Sequence, residues 1–377
     1  MNKKTIVAGH ICLDITPKFP AKSSGGLSQV LLTGKLVQVD EADVHTGGAV
    51  ANTGLAMKFF GADVQLMGKI GRDAFGTMVL DVLGSHGAAD GMIVAEGEAT
   101  SYSVVLALPG VDRIFLHNPG ANDTFCSSDV PQSALKEAAL LHFGYPPLMK
   151  SMFQHGGKQL IELFARAKDE HTATSLDMAM VDADSDAGKV DWQAILQSVL
   201  PLTDFFVPSA EELCFMLDKG RYNSWQERAL GKDVAQVLDV ERDVAPLARQ
   251  CLKLGAKVVL VKCGSRGMYF CSAGTEAGSE QALGELCAAL GLSADGWAGK
   301  AFFERSFLPD RIASGTGAGD TSIAAFLCAM LEGRTARQSV ALAAAAGASC
   351  LASYDALGGL LPLEKLQEKI DAGWRKC

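Results

Sequence analysis

From Thr5 to Gly264 the chain alternates short apolar runs with longer segments of helical spacing. The runs TIVAGHICLDI, DVQLMGKIG, ALLHFGYP, ATSLDMAM, DFFVPS and KVVLVKCG are apolar almost throughout, not at every second position. Strands of that kind must be covered on both faces, as in parallel sheets. Between them AVANTGLAMKFFG, AFGTMVLDVLGSHG, LIELFARAKDEH, WQAILQSVL and VAPLARQCLKLG carry apolar residues at the spacing of packed helices. The alternation predicts an α/β fold, doubly wound and mainly parallel, with helices on both faces. Ligands of such sheets gather beyond the carboxyl ends of the strands.

Two stretches break the alternation. Residues 27–46 and 100–118 read as extended hairpins, forming either a small flap over the strand ends or an edge extension of the main sheet. Residues 274–305, rich in Gly and Ala, read as an inserted helical loop, and 218–244 as a polar surface stretch. The Ala run at 343–349 suits a helix packed closely on a neighbour.

The 377 residues carry a formal charge of −9. An acidic chain is a poor match for phosphate backbones, so no nucleic-acid partner is expected, although a local basic cluster could hold a small phosphate. No apolar run approaches the roughly 20 residues of a membrane helix, and the start lacks a signal-peptide pattern, with Asp14 inside its first strand. The ten cysteines form no C-x-x-C pair, and the seven histidines share no ligand spacing. Buried thiols in a reducing compartment, by default the cytoplasm, are expected.

The segment Ala313–Met330 reads ASGTGAGDTSIAAFLCAM. Gly315, Gly317 and Gly319 precede a helical pattern, and Asp320 follows at once. The first N–H groups of a helix lack intrahelical partners, and the dipole adds about half a positive charge there. Glycines let those amides converge, so Thr316, Gly317, Ala318 and Gly319 suit a phosphate or the charge on one in transit. Asp320 would serve only as a dipole partner, or would accept the proton of an attacking hydroxyl as phosphoryl transfer proceeds. Neither G-x-G-x-x-G after the first strand nor G-x-x-x-x-G-K-[ST] is present, which excludes the usual dehydrogenase and P-loop readings. Near the other end, HTGGAVAN places Gly47 and Gly48 before a helix containing Asn52: a tight turn, or amides and a carboxamide for sugar hydroxyls.

Asp14, GGAVAN, GKIGRDAFG at 68–76, NPGAN at 118–122, KCGSRG at 262–267 and GTGAGD at 315–320 follow in one order. That order resembles the ribokinase-like (PfkB) carbohydrate kinases over nearly the whole chain. The resemblance implies one ribokinase-like domain over 1–377 with a small β lid from about 27–46 and 100–118, together with ATP and Mg²⁺. It implies Asp320 as catalytic base and Gly317, Ala318 and Gly319 as anion hole. Asp14, Gly47, Gly48 and Asn52 would hold substrate hydroxyls. Lys262, Gly264 and Gly267 would belong to the nucleotide site. Arg113 would either reach the substrate from a lid strand or remain a solvated cation.

Three departures stand out. Ser314 and Gly315 replace the start of the family's D-T-x-G-A-G-D, so potassium activation is left open. The N-x-x-E motif reads Ser209-Ala210-Glu211-Glu212: Ser209 stands at the nucleotide site, and Glu212 either holds Mg²⁺ through water or opens a helix. The 274–305 insertion has no family counterpart and sits in sequence between two nucleotide-site motifs. The expected activity is phosphorylation of a primary hydroxyl of a small sugar or polyol. A nucleoside kinase, with Tyr102 or Phe115 stacking on a base, and a non-catalytic sugar-binding homologue are the alternatives. Lid strands with exposed edges could pair in a homodimer, and a monomer fits too.

Overall fold

The computed structural model describes residues 3–20, 32–107, 114–274, 279–313, 315–353 and 356–377. Its strands, in chain order, are β1 Thr5–Gly9, β2 Cys12–Pro17, β3 Ala42–Gly47, β4 Val64–Met67, β5 Lys69–Gly71, β6 Ile93–Ala95, β7 Tyr102–Leu106, β8 Ile114–Asn118, β9 Leu140–Gly144, β10 Ala173–Asp177, β11 Phe205–Phe206, β12 Val258–Lys262, β13 Gly267–Ser272 and β14 Ala301–Arg305. The main sheet runs β14-β13-β12-β11-β10-β9-β1-β4. From β12 to β4 every pairing is parallel, and β13 and β14 close one edge antiparallel.

Strand periodicity explains why these runs are apolar throughout. Ile6, Ala8, Phe206, Val259 and Val261 enter one core. Their neighbours Val7, Phe205, Val207, Val258 and Leu260 enter the other. Each strand thus feeds two helical layers with alternate side chains.

TIVAGHICLDI is two strands, not one. Gly9, at φ +128°, ends β1 where a side chain would strike the Gly144 backbone. The chain crosses at His10 and Ile11 into a separate four-stranded sheet, ordered β3-β2-β7-β8. Asn122 of the NPGAN stretch holds the crossing: its carboxamide accepts from Ile11 N–H at 3.1 Å and donates to Ile11 C=O at 2.8 Å. Asp14 therefore rides on the small sheet.

Residues 27–46 contribute β3 alone, since 32–41 form no strand and 21–31 lie outside the described residues. β7 and β8 do form an antiparallel pair. The turn between them, with Arg113, lies outside the described residues, as does Ser314.

The 274–305 segment also departs from expectation. It ends in strand β14, and its helix Ser279–Leu290 buries Leu283, Leu286, Cys287 and Leu290 in the second core. The three- and four-residue spacing of those side chains makes it a core element, away from the cavity described below.

Candidate active site

The parallel strands deliver polar residues at their carboxyl ends. Tyr145 follows β9, Asp177 ends β10, Ser209 and Glu212 follow β11, and Lys262 ends β12. The helix Ala318–Leu331 meets them with its N-terminus, and Gly317 precedes it at φ +74°. A residue with a Cβ would be strained there and would collide with Ala356. Ala318 N–H reaches Gly315 C=O at only 3.4 Å, while Gly319 and Asp320 N–H find no backbone acceptor among the described residues. Their direction and the helix dipole suit an anion.

Asp320 is buried, at 4% exposure. Its Oδ2 accepts from Asn52 Nδ2 at 3.0 Å, and its Oδ1 from Thr53 Oγ1 at 3.3 Å. Tyr145 Oη lies 2.8 and 2.9 Å from the two oxygens and shares its one proton between them. Burial raises the Asp320 carboxyl above its ordinary pKa, although Lys262, Tyr145, Asn52 and Thr53 all favour the ion. Asn52, read as a substrate ligand, gives one of its two carboxamide N–H groups to this carboxylate.

Lys262 Nζ lies 2.6 Å from Asp177 Oδ1. A Cβ on Gly319 would stand 3.8 Å from the same ammonium, so the cation sits beside the glycine loop. Burial works against the charge on Lys262, and Asp177, Glu212 and Asp320 outweigh it, raising its pKa. Burial pushes Asp177 up to about 8 despite the ammonium, and Glu212 and Asp320 add to the rise. Asp177 Oδ2 is buried with no hydrogen-bond partner among the described residues. Three acids near one ammonium supply hard oxygen donors of the kind Mg²⁺ takes, but among the described residues no group of three acids, histidines or cysteines stands close enough to hold a metal ion by direct contact.

Glu212 opens the helix Ala210–Leu217 in a reciprocal cap. It accepts from Ser209 N–H at 2.6 Å, and its own N–H donates to Ser209 Oγ at 3.3 Å. Ser209, Glu212, Lys262, Gly264, Gly267, Gly317, Ala318, Gly319, Asp320 and Tyr145 share one cavity of about 440 Å³. Thr316 stands in the same loop, its carbonyl receiving the Cys350 thiol at 3.5 Å. The glycines of KCGSRG answer to neighbouring chain: a side chain on Gly267 would strike Glu304 C=O, and one on Gly264 would press on Ala235. A wider groove of about 910 Å³, bordered by Arg266 and Arg305, includes none of the buried acids.

Asp14 lies against the end of β3, where any side chain on Gly47 would overlap its carboxylate. Gly48, at φ +85°, gives way in the same manner to His10. Burial raises the Asp14 pKa, opposed by hydrogen bonds from Cys12 and Ser103. Two imidazoles connect this carboxylate to the Asp320 region. His117 Nδ1 meets Ser103 Oγ at 3.0 Å, the two Nε2 atoms of His117 and His10 are 3.4 Å apart, and the His10 ring is 6.1 Å from Tyr145. Burial depresses both pKa values, that of His10 to about 3, so both rings are neutral near pH 7.

Tyr145, Asp177, Thr53, His10 and His117 were not singled out by motif. The usable signal for the first two was position, a polar residue directly after an apolar strand.

An acid facing a glycine-opened helix end, with a fixed cation beside it, is what phosphoryl transfer to an alcohol requires. The comparisons with known proteins agree. The model of the pfkB family carbohydrate kinases matches residues 12–361. The chain belongs to that family, enzymes that carry a phosphoryl group from ATP to a sugar. It is 22% identical over 309 residues to an uncharacterized sugar kinase of Archaeoglobus fulgidus, covering 81% of this chain and 98% of that protein. A local match of 101 residues is 32% identical to fructokinase-1 of Zea mays, 26% of this chain and 31% of that one. Among solved structures, Arabidopsis thaliana ribokinase complexed with ribose and ATP superposes with a TM-score of 0.70 at 19% identity, covering 98% of both chains. Fructokinase with bound ATP from Xylella fastidiosa gives 0.68 at 17% identity over 99% of both. This chain shares the ribokinase-like fold of those two solved structures.

Proposed function

We propose that this chain phosphorylates a primary hydroxyl of a small sugar or sugar-like polyol, with ATP as donor and Asp320 as base. The observation that carries the reading is Asp320 itself, buried in the first turn of a helix whose amides face the same cavity. Asp320 receives the proton of the acceptor hydroxyl while the bond from that oxygen to the γ-phosphorus forms and the bond from phosphorus to the ADP oxygen breaks. The Gly319 and Asp320 amides and the Lys262 ammonium take up charge on the equatorial oxygens. Asp14 accepts from hydroxyls of the sugar, and the small sheet serves as a lid. Glu212 through water, with Asp177, would hold Mg²⁺, which supplies charge neutralisation on the phosphates when bound.

The nucleoside-kinase alternative is disfavoured by Tyr102, whose ring packs edge-on against Phe75 at 5.3 Å and is used within the fold. A sugar sensor would have no use for a buried acid held by three donors. Ten free cysteines, most of them buried, support a reducing cytoplasmic setting. No helix among the described residues is long and apolar enough to cross a membrane.

The test is ADP release with Mg²⁺ and ATP across a panel of sugars and nucleosides. A sugar is expected to be the best acceptor. A nucleoside as best acceptor, or sugar binding without ADP, would replace this reading. Gly47→Ala pushes against the Asp14 carboxylate and is expected to raise KM for the sugar about 10-fold, since crowding of this kind costs roughly 1–3 kcal/mol. Gly84→Ala, where a side chain meets open space, is the control.

A further inference from the structure

Asp320 accepts hydrogen bonds from three surrounding side chains, one of them Tyr145. A carboxylate offers about four lone-pair sites. Here Thr53 donates to Oδ1, Asn52 donates to Oδ2, and Tyr145 shares its one proton between the two oxygens, so about one site is left. Asn52 and Thr53 are fixed on one turn of the buried helix Gly48–Phe59. Of the three donors, Tyr145 alone lines the same cavity as the carboxylate.

The chain holds Tyr145 in place by unusual means. Its backbone is left-handed, at φ 68° and ψ 41°, between Gly144 at the end of β9 and the pair Pro146-Pro147. A bulky residue in that region is strained, and such strain persists only where the surroundings impose it. Its N–H donates to Asp177 C=O at 3.3 Å, tying it to the next strand. Burial, followed by the charges of Asp320 and Asp177, raises the phenol well above its ordinary pKa, so it stays an O–H donor.

We propose that Tyr145 stands in for the acceptor: its hydroxyl covers Asp320 until a sugar hydroxyl displaces it, which withholds the base from water. This rests on the kinase reading above. Hydrolysis and phosphorylation differ only in the acceptor. With water, the new bond joins the water oxygen to phosphorus, the bond to ADP breaks, Asp320 takes the proton, and inorganic phosphate leaves. A sugar anchored at Asp14 brings binding energy that can displace the phenol, and a lone water does not.

The experiment measures ADP release with Mg²⁺ and ATP, with and without each sugar of a panel including ribose and fructose, for wild type and Tyr145→Phe. Hydrogen bonds to charged groups are among the strong ones in proteins. The variant is therefore expected to release ADP without sugar at least about 10-fold faster, relative to its own sugar-dependent rate, than wild type does. An unchanged or lower ratio overturns the inference while leaving the kinase reading intact. A wild type that forms no ADP with any sugar overturns the kinase reading first. A second measurement covers a variant that fails to fold. Saturating sugar added to wild type is expected to shift the near-ultraviolet tyrosine absorption as the phenol changes partner, and an unchanged spectrum counts against displacement.

Discussion

Asp320→Asn is expected to lower kcat by about 1,000-fold, within the range a positioned base supplies. Sugar affinity is expected to stay within a few-fold of wild type. The asparagine keeps the size of the side chain and can still accept from Tyr145, but it cannot take the acceptor proton. Steady-state kinetics with calorimetric sugar binding separates these effects. Equal losses in binding and turnover would point to a structural role instead. The pH profile gives a second view. Asp320 acts as the ion, and burial holds its pKa above the ordinary range near 3.9. Turnover should therefore rise with pH through that raised value, so the acid limb lies above where an exposed aspartate would put it.

Lys262→Met should produce the other large effect, on activity and on stability together. Loss of the ammonium beside Gly319 is expected to lower kcat/KM for ATP about 100-fold or more, the scale of one electrostatic donor in a preorganised site. The groups left around Asp320 are then Tyr145, Asn52, Thr53 and Asp177. None of them is cationic, so the acid limb moves to still higher pH. Stability follows by linkage. Asp177 already has a folded pKa raised to about 8 with Lys262 present. A carboxyl with a raised folded pKa contributes stability that is present below the unfolded value and lost as pH rises through the folded one. The variant's Tm is therefore expected to follow the wild-type fall between about pH 4 and pH 8 and to go on falling above pH 8, where the contribution of this group in wild type levels off. Adding Asp177→Asn removes the stranded charge and should restore most of the Tm without restoring activity. Recovery of both would mean that the pair only holds the fold together.

Part of this site could be read along the chain. GTGAGD carries its pattern locally, because glycine spacing, helix start and acid are all sequence neighbours. Asp14 and the first glycine pair were also legible, but the reason for Gly47 was not. It clears space for a carboxylate on the paired strand β2, a demand that exists only once β2 and β3 are in register. Tyr145 and Asp177 were hidden for the same reason. Each looks like a polar residue ending an apolar run, and their partners Asp320 and Lys262 lie 175 and 85 positions away. Lys262 was visible as part of a glycine turn, while its pairing with Asp177 depends on two strands converging across β11.

The fold shows the same division. Parallel strands and covering helices follow from apolar spacing, and the two cores divide as alternation requires. The break inside TIVAGHICLDI was signalled only by Gly9, since a glycine within a strand often marks a bend. The helix at 279–290 fits the reading of an inserted helical loop, but its place in the core was not foreseen because Gly and Ala dominate its surroundings. Its leucines nonetheless carry helical spacing, and that pattern outweighed composition.

The most direct measurement is a crystal structure with the accepted sugar and a nonhydrolysable ATP analogue bound together. The acceptor hydroxyl is expected within about 3.2 Å of an Asp320 oxygen, with Tyr145 Oη displaced from at least one carboxylate oxygen and the Gly319 amide facing the terminal phosphate. A sugar bound away from Asp320, with the phenol still covering both oxygens, would contradict the assignment of the base.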